Sequence, residues 1–109
     1  MNELIQQFRQ AIVRTGNDDP KVANNAADDA HRVFKLLRQT DEGRRSFMAL
    51  MSDDDPHVRC AAAARSLSWA PDSARAVLVA LREGDGPASF DAKWTLIEFD
   101  KGRLSFDYY

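Results

Sequence analysis

The stretch that decides the fold is Asp53–Leu67, DDDPHVRCAAAARSL, in which three aspartates run into a proline and then into alanines. Proline is well tolerated in the first turn of a helix, where its missing N–H needs no partner. An aspartate just before it suits the N-cap position, because its carboxylate accepts backbone N–H bonds and complements the helix dipole. Asp53, Asp54 and Asp55 are therefore interpreted as a turn and a helix cap rather than as a catalytic carboxylate cluster.

Prolines at expected helix starts recur along the chain. Pro20, Pro56, Pro71 and Pro87 each stand where a helical spacing of apolar residues begins, and Asp19 precedes Pro20 as an N-cap residue should. A further short helix is expected after Gly43, and Gly102 is expected to end the last helix. The pattern predicts an all-α chain of six helices with short connections, followed by a non-helical C-terminal tail.

Two helices carry apolar residues on both sides. One begins at Pro56, and the other is the last helix. A shift of 32 residues relates the apolar positions of the first to those of the second. A helix that is apolar on two faces is covered on two faces, so Trp69 and Trp94 are expected to be core residues. A period in the thirties with two helices per unit is typical of an α-solenoid. In the last helix the two faces are Phe90, Trp94 and Ile97, and Ala92, Leu96 and Phe99.

The segment Phe47–Leu67, FMALMSDDDPHVRCAAAARSL, resembles a HEAT-type repeat. In that pattern spaced leucines end a first helix, an Asp-Pro turn follows, and Val-Arg with small residues opens a second helix. Asp55 and Pro56 supply the turn here, and Val58 and Arg59 supply the opening of the second helix.

Taken over its whole length, the chain resembles a small bacterial HEAT-like family of unknown function. The resemblance implies a single domain, residues 1–109, folded as a short right-handed α-solenoid of about three HEAT-like helix pairs. The approximate units are 1–38, 41–69 and 71–101, with a tail at 102–109. Such repeats specify packing rather than chemistry, so the resemblance brings no catalytic residues with it.

Composition narrows the functional classes. The chain has 15 Lys+Arg against 17 Asp+Glu, so nothing overall indicates the concentrated basic surface that nucleic-acid binding needs. No apolar run is long enough for a membrane span, and the N-terminus lacks the pattern of a signal peptide. Cys60 is the only cysteine, which excludes an intrachain disulfide and favours a cytoplasmic location.

Catalytic and metal chemistry have little support in the sequence. Cys60 lies in an alanine run on an apolar face, so it is interpreted as a buried structural thiol rather than a reactive one. His31 and His57 could bind a metal together with nearby aspartates, but they lie on different helices without a metal-binding spacing. We therefore expect no enzyme activity, no metal and no cofactor.

A seam of polar residues on the second helices is the candidate partner site. In a HEAT-like stack this seam lies on or near the concave surface. Arg59 and Asp91 occupy equivalent positions in adjacent units, so an ion pair between them is the structural alternative. On the first unit a polar face is expected to be exposed, formed by Asn24, Asp28, His31, Arg32 and Lys35. The residues of the seam are Arg59, Arg65, Asp91, Lys93 and Glu98.

The function predicted from these features is a non-enzymatic protein-interaction module with a shallow concave face. A nucleic-acid-binding HEAT-like protein and a small neutralising partner of the immunity type are the alternatives. In the tail, Leu104, Phe106 and Tyr108 alternate with polar residues. This segment is expected to cap the last repeat, and the alternative is a homodimer formed by pairing with a second chain.

Overall fold

The computed structural model describes residues 2–106, and over this range the chain is helical with no β-strand. This confirms the all-α prediction and the number of helices. A short 3₁₀ helix, Ala49–Ser52, lies between the third and fourth α-helices. The six α-helices are α1 (Asn2–Arg14), α2 (Pro20–Leu37), α3 (Asp41–Met48), α4 (Pro56–Ser66), α5 (Pro71–Glu83) and α6 (Ser89–Asp100).

The chain divides into two compact units between Leu50 and Met51, within the predicted helix pair 41–69. In the first unit α1 packs on α2, and α3 contacts both. Its core is aromatic: the Phe8 ring meets the Phe47 ring edge to face at 4.9 Å, and Phe34 lies 5.3 Å from Phe47. Burial of three phenylalanines from three helices ties this unit together.

His31 departs from the prediction of an exposed polar face on α2. Its side chain is only 1 % exposed, and its ring lies 6.5 Å from Phe34, whereas Asn24 and Arg32 are exposed as expected. Helix periodicity explains the difference, because His31 stands one turn before the buried Phe34 and lies on the same side of the helix. The expectation was wrong for His31.

The predicted caps are confirmed at the two Asp-Pro sites. The Asp19 carboxylate accepts a bond from the Lys21 N–H at 2.9 Å, and Asp55 accepts one from the His57 N–H at 2.8 Å. Pro71 also begins its helix as predicted. Pro87 does not, because α6 begins two residues later at Ser89, after a turn.

The third helix begins before Gly43 rather than after it. The Thr40 hydroxyl accepts a bond from the Gly43 N–H at 2.9 Å and so caps α3, which starts at Asp41. A Cβ atom on Gly43 would overlap the carbonyl oxygen of Leu37 at the end of α2. Glycine at this position therefore permits the close approach of two consecutive helices, and it does not mark a helix start.

In the second unit α5 packs against both α4 and α6. The predicted burial of α4 on two sides is confirmed, since Val58 and Ala62 on one side and Ala63 and Cys60 on the other are all buried. Trp69, after the end of α4, is half-buried. Small side chains on α4 allow this double burial, because alanine lets neighbouring elements approach closely.

Gly102 ends α6 as predicted. Its φ is +71°, its N–H donates to the Phe99 carbonyl at 3.0 Å, and the Arg103 N–H donates to the Glu98 carbonyl at 2.9 Å. These two bonds form a Schellman motif, in which glycine adopts the left-handed conformation without strain. Residues 103–106 are not helical, as expected for the tail, and Tyr108 lies outside the described residues.

Candidate functional site

An exposed aromatic pair is the most prominent surface feature of the second unit. Phe90 is 66 % exposed and Trp94 is 47 % exposed, and their rings meet edge to face at 6.0 Å. They stand one turn apart on α6, whose opposite side buries Ala92 and Leu96. Large aromatic side chains left open on a helix surface are typical of an interaction site.

The openness of this face corrects the prediction that α6 is covered on two sides. Trp94 is not a core residue, although Leu96 on the opposite side is only 2 % exposed. Periodicity indicates correctly that α6 has two apolar faces. It cannot indicate whether the chain contains a second element to cover the outer one, and the predicted equivalence with α4 fails at this point.

Charged side chains flank the exposed pair. At about 100° per residue, Phe90, Trp94 and Ile97 form one stripe along α6, and Lys101 continues it just after the last residue of the helix. We call this stripe, together with the flanking residues Lys93 on one side and Asp91 and Glu98 on the other, the aromatic face. Lys93 and Asp91 are exposed. Glu98 accepts a bond from the Arg103 guanidinium at 3.0 Å.

Arg59, the first residue of the predicted seam, has a structural role at the start of α4. Its Nη1 atom donates to the Asp53 carbonyl at 2.7 Å and to the Asp54 carbonyl at 3.1 Å. The described residues show no ion pair between Arg59 and Asp91, so the predicted pairing is wrong. The guanidinium instead stabilises the turn before the helix, where backbone carbonyls require donors.

Arg65 and Asp91 are brought to the same place, beside Cys60. The pKa of the Cys60 thiol is raised to about 11, mainly by burial and in part by the Asp91 carboxylate, while the Arg65 guanidinium partly opposes the rise. The thiol is therefore protonated at neutral pH. This agrees with the interpretation of Cys60 as a structural residue, because only the thiolate is a nucleophile.

Arg65 also contacts the tail. Its guanidinium carbon lies 4.6 Å from the centre of the Phe106 ring, and its Nη1 atom donates to the Ala61 carbonyl at 3.1 Å. The five residues of the predicted seam thus fall into three groups. Arg59 supports a turn, Arg65 and Asp91 lie near Cys60, and Lys93 and Glu98, together with Asp91 again, flank the aromatic stripe.

A second surface feature lies on α1. An open depression of about 470 Å³ is lined by Arg9, Gln10, Val13 and Arg14. Arg14 donates to the Asp29 carboxylate of α2 at 3.3 Å, so part of its charge is neutralised there. The sequence does not single out this depression, because Val13 has the helical spacing of a core residue, yet its side chain is 48 % exposed.

No group of three or more His, Cys, Asp or Glu side chains in the described part of the chain could hold a metal ion. His57 is exposed in the first turn of α4. Among the described helices, none is long and apolar enough to cross a membrane.

Comparisons with family models, with curated proteins and with solved structures give no match to this chain. The resemblance to HEAT-like repeats therefore stays a prediction.

Proposed function

We propose that this chain is a non-enzymatic protein-interaction module that binds its partner through the aromatic face of α6. The observation that carries the proposal is the exposure of two neighbouring aromatic residues on one helix surface. Phe90 is 66 % exposed and Trp94 is 47 % exposed. Aromatic side chains of this size supply most of the binding energy in many protein interfaces. Flanking charges then select the partner and its orientation.

The charges around the pair favour a protein partner over a nucleic acid. Asp91 is exposed beside the aromatic stripe, and the nearby cation Arg103 is bound to Glu98. Phosphate groups would meet the Asp91 and Glu98 carboxylates as well as the cations Lys93 and Lys101, so this face is not the concentrated basic surface that nucleic-acid binding needs. A small neutralising partner of the immunity type is one form that the proposed module could take.

The finer architecture belongs to the same proposal. A right-handed stack of three HEAT-like helix pairs is supported by the Asp-Pro cap at Asp55 and Pro56 and by the short connections between helices. In this arrangement α6 belongs to the last pair, and its outer face is the one that a further repeat would cover. A cytoplasmic location is supported by the single buried thiol of Cys60.

The proposal is tested by partner capture with matched variants. Tagged wild-type protein, the double variant Phe90→Ser/Trp94→Ser and the control Val13→Ser/Leu36→Ser are used as baits in the native cells, with nuclease present. The control removes two apolar side chains of the first unit that are 48 % and 47 % exposed. Circular dichroism checks that all three proteins are folded.

A protein recovered in near-equal amount by the wild type and by the control, and lost with the α6 variant, is the expected result. Equal recovery by all three proteins would overturn the proposal. Complexes that disappear on nuclease treatment would also overturn it and would favour the nucleic-acid alternative.

A further inference from the structure

We propose that the aromatic face of α6 binds the same face of a second copy of this chain, with the two α6 helices parallel about a two-fold axis. The inference rests on the proposed function and names the partner of that site. It is distinct from the predicted homodimer through the tail, because the contact lies on the outer side of α6 and uses none of the residues after Lys101.

The spacing of the stripe is that of a helix that pairs with another helix. Phe90, Trp94, Ile97 and Lys101 follow one another at intervals of 4, 3 and 4 residues, the alternation of core positions in a coiled coil. Phe90 and Ile97 then take the d positions, and Trp94 takes an a position. Parallel association would stack each apolar residue against its own copy across the axis.

The charged side chains beside the stripe favour the parallel arrangement over the antiparallel one. Lys93 occupies the g position before Trp94, and Glu98 occupies the e position after Ile97. In a parallel pair a g residue faces the e residue five positions further along the partner helix. Lys93 of each copy would therefore face Glu98 of the second copy, which gives two attractive contacts around the axis and no like-charge contact between g and e positions.

An antiparallel pair has a less favourable charge pattern. There e positions face e positions, so Asp91 would face Glu98 of the second copy twice, and like charges in contact destabilise an interface. Lys93 would face Asp100, whose carboxylate is already bound by the Arg75 guanidinium of its own chain. In the parallel pair the remaining cation, Lys101, follows the last residue of α6 and can extend its ammonium group into water.

Sedimentation equilibrium over a wide concentration range tests the inference. Wild-type protein should associate to a dimer. Lys93→Glu and Glu98→Lys should each weaken the dimer by about tenfold, because each substitution turns two attractive contacts into repulsive ones. The double variant Lys93→Glu/Glu98→Lys restores opposite charges and should recover the wild-type dissociation constant of the dimer to within about threefold.

Two further variants test whether the dimer contact uses the aromatic face. Arg103→Ser removes the partner of Glu98 within the chain and should leave dimerisation unchanged, which separates the interchain role of Glu98 from its contact at 3.0 Å with Arg103. Phe90→Ser/Trp94→Ser should leave only monomer. A dimer that is insensitive to this double variant would overturn the inference, because the contact would then lie elsewhere.

Two other outcomes would also overturn it. A wild-type chain that is monomeric up to about 1 mM has no such interface of useful strength. A dimer strengthened by Glu98→Lys would show the antiparallel arrangement, since that substitution removes the repulsion between Asp91 and Glu98. In either case, capture of a different protein that is lost with the Phe90/Trp94 variant would leave the proposed function standing, so the two proposals fail separately.

Discussion

The guanidinium group of Arg65 lies over the ring of Phe106, with 4.6 Å between the guanidinium carbon and the ring centre. The contact joins the end of α4 to the tail that follows Gly102. Leu104 and Phe106 are both half-buried. A tail that turns back onto its own unit agrees with the predicted capping role more closely than with pairing to a second chain.

Removal of the Phe106 ring should therefore lower the stability of the second unit by a modest amount. A cation–π contact at a partly exposed site contributes roughly 0.5–1 kcal/mol. Urea unfolding of Phe106→Ala, Arg65→Met and the double variant forms a cycle that isolates the interaction. We expect the sum of the two single losses in unfolding free energy to exceed the loss in the double variant. Strictly additive losses would show that the two side chains do not interact in solution.

Trp94→Ala and Leu96→Ala give a matched comparison of the two sides of α6. Trp94 is 47 % exposed and Leu96 is 2 % exposed. We expect Leu96→Ala to lower the free energy of unfolding by about 2–5 kcal/mol, because it leaves a cavity in the core. Trp94→Ala should lower it by only about 1 kcal/mol.

Chemical denaturation of dilute protein measures both values without a contribution from dimers. A loss at Trp94 as large as that at Leu96 would contradict the exposed position of the indole ring. The sequence alone predicts that Trp94 is a core residue, so a large loss at Trp94 would agree with periodicity and a small one with the structure.

Much of the fold follows from local sequence signals. Asp19 and Asp55 cap their helices as predicted, because an aspartate before a proline satisfies the same backbone N–H groups wherever it stands. Gly102 likewise ends α6, since a left-handed residue after a helix has a local cause. These features need only a few neighbouring residues, and the printed sequence contains all of them.

The candidate site could not be predicted in the same way, because burial depends on distant residues. Ala62 and Trp94 occupy positions related by the 32-residue shift, yet Ala62 is fully buried and Trp94 is 47 % exposed. An ion pair between Arg59 and Asp91 is the structural alternative that the sequence offers, but Arg59 donates instead to the Asp53 and Asp54 carbonyls of the turn before α4. Periodicity identifies apolar and polar faces, and only the packing of the whole unit determines which are covered.

Gly102→Ala should destabilise the protein because of its backbone conformation. Its φ of +71° lies in the left-handed region, where a Cβ atom introduces strain although no other atom lies near it. Strain of this kind costs about 1–3 kcal/mol. Gly86→Ala is the control, since Gly86 has open space around it and no positive φ.

Thermal unfolding followed by circular dichroism compares the two alanine variants. The Gly86 variant should match the wild type or exceed it slightly, because alanine lowers the entropy of the unfolded chain. Equal losses in the two variants would contradict the assignment of the Schellman motif at the end of α6.

The Cys60 thiol should make the stability of the protein fall at high pH. Burial raises its pKa from the ordinary value of 9.0 to about 11 in the folded chain. Between these two values the unfolded chain releases the proton and the folded chain keeps it, so the free energy of unfolding decreases as the pH rises through this window. Full titration of this one group would remove on the order of 2–3 kcal/mol.

The contribution of Cys60 to the pH dependence is measured as a difference between the wild type and a variant without the thiol. Urea unfolding of the wild type and of Cys60→Ala is compared at pH values from 7 to 11. The variant should be less sensitive to pH above about 9, because it has no thiol to ionise in the unfolded state. In the same samples, a thiol reagent at neutral pH should modify the folded wild type slowly and the urea-unfolded chain quickly. Parallel pH profiles for the two proteins, or fast modification of the folded chain, would show that the thiol is accessible and would contradict its buried position beside Asp91 and Arg65.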